Sequence, residues 1–87
     1  MKFDWDPEKA KSNFTKHGIP FEEAQEAFDD PDKMEVYQRA TGEDRWKMLA
    51  KFEKHILVVV YRDDGDVVRI ISAQEAEKHE KARYRSR

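Results

Sequence analysis

The stretch Asn13-Phe14-Thr15-Lys16-His17-Gly18 sets a lysine and a histidine side by side where a helical pattern ends. Histidine ordinarily titrates near neutrality and can give or take a proton, and a neighbouring lysine can hold a phosphate. The same two cations also suit a plain helix terminus, where each gains roughly 0.3–1 kcal/mol from the carbonyl end of the helix. Glu43 and Arg45 follow Gly42, either as a turn-side ion pair contributing ~0–1 kcal/mol or as groups facing a substrate. Arg69 interrupts the apolar run from Val67 to Ile71. An uncompensated guanidinium buried there would be costly, so it is expected to reach water or an anionic partner at the surface of a sheet. Arg83 and Tyr84 sit in the last helical pattern, as a solvated basic face or as a cation beside a ring that stacks on a base.

This kit of Lys, Arg, His and Tyr suits RNA cleavage without a metal. A base takes the 2′-hydroxyl proton, the oxygen attacks the adjacent phosphorus, cations hold the phosphorane charge, and an acid protonates the leaving 5′-oxygen. The same side chains would serve simple RNA binding equally well, and composition leaves the two readings open. Other chemistries find little footing. His17, His55 and His79 stand apart from one another without ligand spacing, and His55 and His79 are expected to be exposed and idle. Asp63-Asp64-Gly65-Asp66 lacks the closing ligands of a calcium loop and reads as a hairpin turn. No Gly-rich phosphate loop or nucleophile elbow occurs, so no cofactor and no metal are expected.

The 87 residues leave room for one domain, 1–87, that buries only about 60–65% of its unfolded surface. Without cysteine, neither disulfides nor thiolate metal sites can support so small a core. No apolar run is long enough to span a membrane and no signal peptide is visible, which suggests a soluble, cytoplasmic protein. The net charge of −2 hides a gradient: residues 1–44 carry 12 acidic and 6 basic side chains, and residues 45–87 carry 7 acidic and 11 basic. The second half is the better candidate for meeting phosphate.

Several elements must position these groups. Phe3 and Trp5 alternate with polar residues as a short strand, and Asp6-Pro7 opens a first helix that Gly18 and Pro20 close. Phe21, Ala24 and Phe28 form one stripe of a second helix stopped by Asp30-Pro31-Asp32. Residues 34–39, the alternating run from Arg45 to Phe52, the apolar run 55–62 and residues 67–72 read as four antiparallel strands, with Leu49 out of place on a polar face. Ser72 and Glu75 fit a capping box, predicting a last helix from there through Tyr84. Trp5, Phe14, Phe21, Phe28, Trp46 and Phe52 are expected in the core.

In this order the motifs resemble the BrnT family of toxins from type II toxin–antitoxin systems, over nearly the whole chain. The resemblance is carried by Asn13, Lys16, His17 and Gly18, by Gly42, Glu43 and Arg45, and by Arg69-Ile70-Ile71-Ser72-Ala73. It implies an α+β, RelE-like fold, an antiparallel sheet meander with two N-terminal helices and one C-terminal helix. It further implies an endoribonuclease that arrests growth and translation by cutting RNA. The implied partners are a BrnA-like ribbon-helix-helix antitoxin and, only through that complex, operator DNA. Within this reading His17, Lys16, Glu43, Arg45, Arg69 and Arg83 line one catalytic groove, with Asn13, Gln74 and Tyr84 on the substrate. Relatives commonly continue the strand motif as Ile-Ser-Ala-Arg, whereas this chain has Gln74, which keeps a hydrogen bond but loses the charge and the bidentate fork. Arg69, Arg83 and Arg45 are the available replacements. The rival readings are a non-catalytic nucleic-acid- or antitoxin-binding module of the same fold, and an interaction protein whose basic half docks an acidic partner.

Overall fold

In a computed structural model of the chain, which describes residues 1–40 and 42–86, both ends of the first helix are set by local chemistry. The Asp6 carboxylate accepts the Glu8 N–H at 2.9 Å, Pro7 occupies the first turn, and the helix α1 runs Pro7–His17. Gly18 then turns left-handed at φ 72°, and its N–H donates to the Phe14 carbonyl at 2.8 Å. Before α1 lies strand β1, Lys2–Asp4; after it come α2, Phe21–Ala27, β2, Met34–Ala40, β3, Glu43–Phe52, β4, His55–Asp63, β5, Val67–Glu75, and α3, Lys78–Arg85. The α+β class and the two-helix start expected from sequence are present.

The sheet order is β1-β5-β4-β3-β2. Strands β2 to β5 form the antiparallel meander, and β1 adds parallel to β5 through Phe3 opposite Val68. One face packs against α1 and α2. Phe21, Met48, Leu57, Val59 and Ile70 are almost fully buried there, each worth roughly 1.5–3 kcal/mol of transfer free energy. The other face is partly covered by α3, under which Leu49, Ile56 and Val58 meet Ala76 and Tyr84. Leu49 thus breaks the polar alternation of β3 because its face carries a second, smaller core.

Two sequence expectations are corrected. Ser72 and Glu75 do not begin a helix: Val60 pairs with Ser72, Val58 with Gln74 and Leu57 with Glu75, so the ladder with the central strand takes these residues into β5. The capping box forms later, between Glu77 and Glu80, with the Glu77 N–H donating to Glu80 Oε1 at 2.8 Å. Phe14 is 54% exposed rather than core, because α1 turns Ala10 and Asn13 toward the sheet instead.

β5 carries one extra residue. Tyr61 pairs with Ile70 and Val60 with Ser72, leaving Ile71 as the unpaired residue of a bulge. Strand parity therefore changes at Ile71. Arg69, Ser72 and Gln74, opposite Arg62, Val60 and Val58, share the face that α3 partly covers.

Candidate functional site

The face left open beside α3 is crossed by a row of arginines. Arg69 stands opposite Arg62 on the neighbouring strand, and Arg45 lies on the same face of β3, opposite Gln38 of β2. Like charges directly across a ladder repel, so the row requires carboxylates between them. Glu43 supplies one, receiving Arg45 Nη2 at 3.3 Å on one oxygen and Arg62 Nη1 at 3.3 Å on the other. Arg62 also grips Asp64, with Nη2 donating at 2.8 Å, and Arg69 reaches Asp4 of β1 at 3.2 Å. The Arg45 Nε is buried without an acceptor among the described residues, the kind of unsatisfied donor that a functional arrangement tolerates.

These pairs set the local protonation. The Arg45 hydrogen bond, its charge and then Arg62 hold the Glu43 carboxyl below the usual glutamate range. The Arg62 hydrogen bond does the same for Asp64, and Arg69 adds to it. A carboxylate so firmly ionised is a poor proton acceptor and a good spacer between guanidinium groups.

Lys16 and His17 occupy the last turn of α1, exposed, and line a shallow depression with Lys9, Ser12, Asn13, Ile71 and Ser72. Ser72 shares the face of Arg69, whereas α1 packs on the opposite face of the sheet, and none of the three arginines lines this depression. No hydrogen bond or ion pair among the described residues joins His17 or Lys16 to Glu43, Arg45 or Arg69. Asn13 is buried and its side chain is spent on the backbone: Nδ2 donates to the carbonyls of Ala73 at 2.7 Å and Ile19 at 3.2 Å, and Oδ1 accepts the Ala73 N–H at 3.1 Å.

Arg83 stands at the other rim, lining a pocket of about 150 Å³ between α3 and the sheet with Met34, Val36, Gln38 and Lys47. Lys47 bridges to Glu80 at 3.0 Å. Tyr84 is set apart from these groups: its ring lies in the small core and its hydroxyl donates to Asp30 at 2.5 Å. Gln74 is half-buried on β5 opposite Val58. His55 is not idle, since its Nδ1 lies 3.2 Å from Glu75 Oε1, a carboxylate that Lys81 also holds.

Arg62 was missed by sequence reasoning. It directly precedes the Asp63–Asp66 turn and reads as a turn-flanking charge, although folding the two strands about that turn sets it opposite Arg69. His79 likewise looks solitary in sequence, yet the start of α3 brings Glu77 and Glu80 within 4.8 Å of it, ligand atom to ligand atom. Both Glu80 oxygens already serve the Glu77 N–H and Lys47, so the cluster reads as a helix cap.

Fold and site together define a small α+β protein with a guanidinium-lined sheet face. The chain belongs to the BrnT family: residues 5–80 match the family described as "Ribonuclease toxin, BrnT, of type II toxin-antitoxin system". Membership makes it a ribonuclease toxin of such a system, with RNA as substrate class and an antitoxin as partner. The match contains all three arginines of the row and the end of α1, and stops short of Arg83 and Tyr84. No curated protein matches the chain. Among the described residues no helix is long and apolar enough to cross a membrane.

Proposed function

We propose that the open sheet face cleaves single-stranded RNA without a metal, through attack of a 2′-hydroxyl on the adjacent phosphorus. The observation that carries this reading is the juxtaposition of Arg45, Arg62 and Arg69 on one face, with Glu43 bridging the first two and Asp4 paired with the third. Each bridge is open to solvent on at least one side and contributes little, so a phosphate that accepts two forks at once can displace it. Guanidinium and ammonium groups then supply the positive charge that the pentacoordinate phosphorus demands.

His17 is the proton-transfer group of this reading, with Lys16 holding an adjoining phosphate. The 2′-oxygen forms the new P–O bond as it loses its proton, the P–O5′ bond breaks, and the departing oxygen takes a proton, leaving a 2′,3′-cyclic phosphate and a 5′-hydroxyl. Glu43 positions the arginines rather than acting as base, in keeping with its lowered pKa. Arg83 extends the cationic surface toward the next phosphate. In a cytoplasmic setting a BrnA-like ribbon-helix-helix antitoxin covers the face, and operator DNA is met only through that complex.

Gln74 favours a second reading, a binding module without catalysis. It lies on the arginine face in place of the arginine common among relatives, and each member of the row already has a carboxylate partner. Incubating partner-free protein with mixed-sequence RNA in excess EDTA decides between them. Fragments ending in cyclic phosphate, lost in Arg69→Ala and His17→Ala, support cleavage. RNA binding without fragments, with cleavage appearing in Gln74→Arg, identifies the binding module.

A further inference from the structure

The sheet has two outer edges, and they are treated differently. On one side β1 is only Lys2–Asp4, and beyond it the rim of β5 is closed by the Asn13 side chain on both backbone groups of Ala73. On the other side β2 runs uninterrupted from Met34 to Ala40, without proline, lysine or a bulge. Edge strands ordinarily carry such features because an open, regular edge pairs with another chain. Two of the four large apolar side chains left exposed among the described residues, Val36 at 44% and Tyr37 at 49%, are on this strand.

Which backbone groups point outward follows from register. Phe52 and His55 close a two-residue hairpin on a hydrogen-bonded pair, so Phe52, Ala50, Met48 and Trp46 bond to β4, and Leu49, Lys47, Arg45 and Glu43 bond to β2. Bonded and non-bonded pairs then alternate, so Ala40, Gln38, Val36 and Met34 bond inward to β3 while Arg39, Tyr37 and Glu35 present N–H and C=O outward. The neighbouring strand agrees: the Lys51 N–H, in phase with the β3 residues that face β2, finds the Asp30 carboxylate at 2.8 Å where β2 has not yet begun.

We propose that β2 pairs with β2 of a second copy of this chain, antiparallel, about a two-fold axis at Tyr37. Directly opposed residues must lie on the same face, so a symmetric register centres on a residue. With Tyr37 at the centre, all three outward-facing residues find outward-facing partners: Tyr37 meets the partner's Tyr37, Glu35 meets the partner's Arg39, and Arg39 meets the partner's Glu35. Each pair exchanges two backbone hydrogen bonds, and the outer two add an ion pair of opposite charges. Shifting the centre to Val36 or Gln38 loses one bonded pair and both charge matches. In the single chain Glu35 leans inward across β3, where the Tyr61 hydroxyl donates to its Oε2, so pairing requires this carboxylate to swing out to the partner's Arg39. Arg39 has no ion pair among the described residues. The axis is perpendicular to the sheet, so both arginine rows lie on the same side of the joined ten-strand sheet. The inference stands whether or not that face cleaves RNA.

The chain has no cysteine, so Tyr37→Cys creates a single thiol on the axis, where the Cα spacing of a bonded pair of about 5.5 Å lies within disulfide range. Under mild oxidation this variant should form a covalent dimer at least about tenfold faster than Lys11→Cys, whose thiol lies on α1 beside β5, because pairing raises the local thiol concentration. Sedimentation of the native chain should show a dimer, Arg39→Glu should weaken it, and Glu35→Arg combined with Arg39→Glu should restore it, the thermal melt confirming that each variant folds. Equal cross-linking at both sites, a native monomer up to millimolar concentration, or no rescue by the double reversal overturns the proposal. So does a monomer whose β2 amides gain exchange protection only when a different protein is added, which would give the edge to that partner.

Discussion

Asn13 holds Ala73 by both of its backbone groups, its Nδ2 donating to the carbonyl at 2.7 Å and its Oδ1 accepting the N–H at 3.1 Å. One side chain thereby acts as a missing strand along the rim of β5 and fixes α1, with Lys16 and His17 at its end, against the sheet. Asn13→Ala strands three backbone groups at once, counting the Ile19 carbonyl. The expected loss is about 2–4 kcal/mol in urea unfolding, because buried unpaired groups cost about 1–3 kcal/mol each. RNA cleavage by the fraction still folded should fall as well, since the helix end loses its anchor; a stability change below about 1 kcal/mol would contradict this role.

Arg62→Ala is expected to weaken RNA binding by about 10–100-fold, as much as Arg69→Ala, since a charge-assisted hydrogen bond is worth roughly 1.5–3 kcal/mol. The slope of log affinity against log salt should shrink by about 0.7 for each phosphate that the variant no longer neutralises. An unchanged slope in Arg62→Ala would show that this arginine serves only Glu43 and Asp64.

Acid should lower the stability only modestly through a small set of carboxylates, of which Glu80 alone is buried. Hydrogen bonds from Arg45 to Glu43, from Lys81 to Glu75 and from Arg62 to Asp64 hold these groups below their ordinary ranges. At Glu80 burial works the other way, but the Glu77 N–H and Lys47 outweigh it. With folded pKa values depressed, the stabilisation is complete above the unfolded glutamate value of 4.5 and is lost as pH falls through the lower folded values. Glu80→Gln can keep the cap hydrogen bond but not the charge that Lys47 meets, so its urea midpoint should lie below the native one at about pH 6 and converge with it near pH 3, which is a shallower acid slope.

The two aromatic residues on α1 and α2 separate surface from core. Phe21→Ala removes a ring that is 1% exposed and should cost about 3–5 kcal/mol. Phe14→Ala, at 54% exposure, should stay within about 0.5 kcal/mol. Matched thermal or urea unfolding of the two variants checks both values.

The elements governed by short-range chemistry were legible in the sequence: α1 between Asp6-Pro7 and Gly18, the stop at Asp30-Pro31-Asp32, and the four-strand meander follow from capping, proline geometry and period-two patterning. Glu43 with Arg45, and the surface reach of Arg69, were also visible, because spacing and the cost of a buried charge are local facts. Pairing energy decided the rest. Ser72-x-x-Glu75 satisfies a capping box as well as Glu77-x-x-Glu80 does, and only the ladder with the central strand β4 takes the first into β5 and leaves the second to start α3. The bulge at Ile71 reverses strand parity without any proline or glycine to announce it, and so sets Ser72 and Gln74 on the face of Arg69. Arg62 and Asp4 join that face from other strands, and Tyr84 is withdrawn into a core beneath α3. Local propensity acts between residues a few positions apart, whereas the face on which a strand residue lies depends on hydrogen bonds to strands far away in the chain, and those exist only once the sheet has assembled.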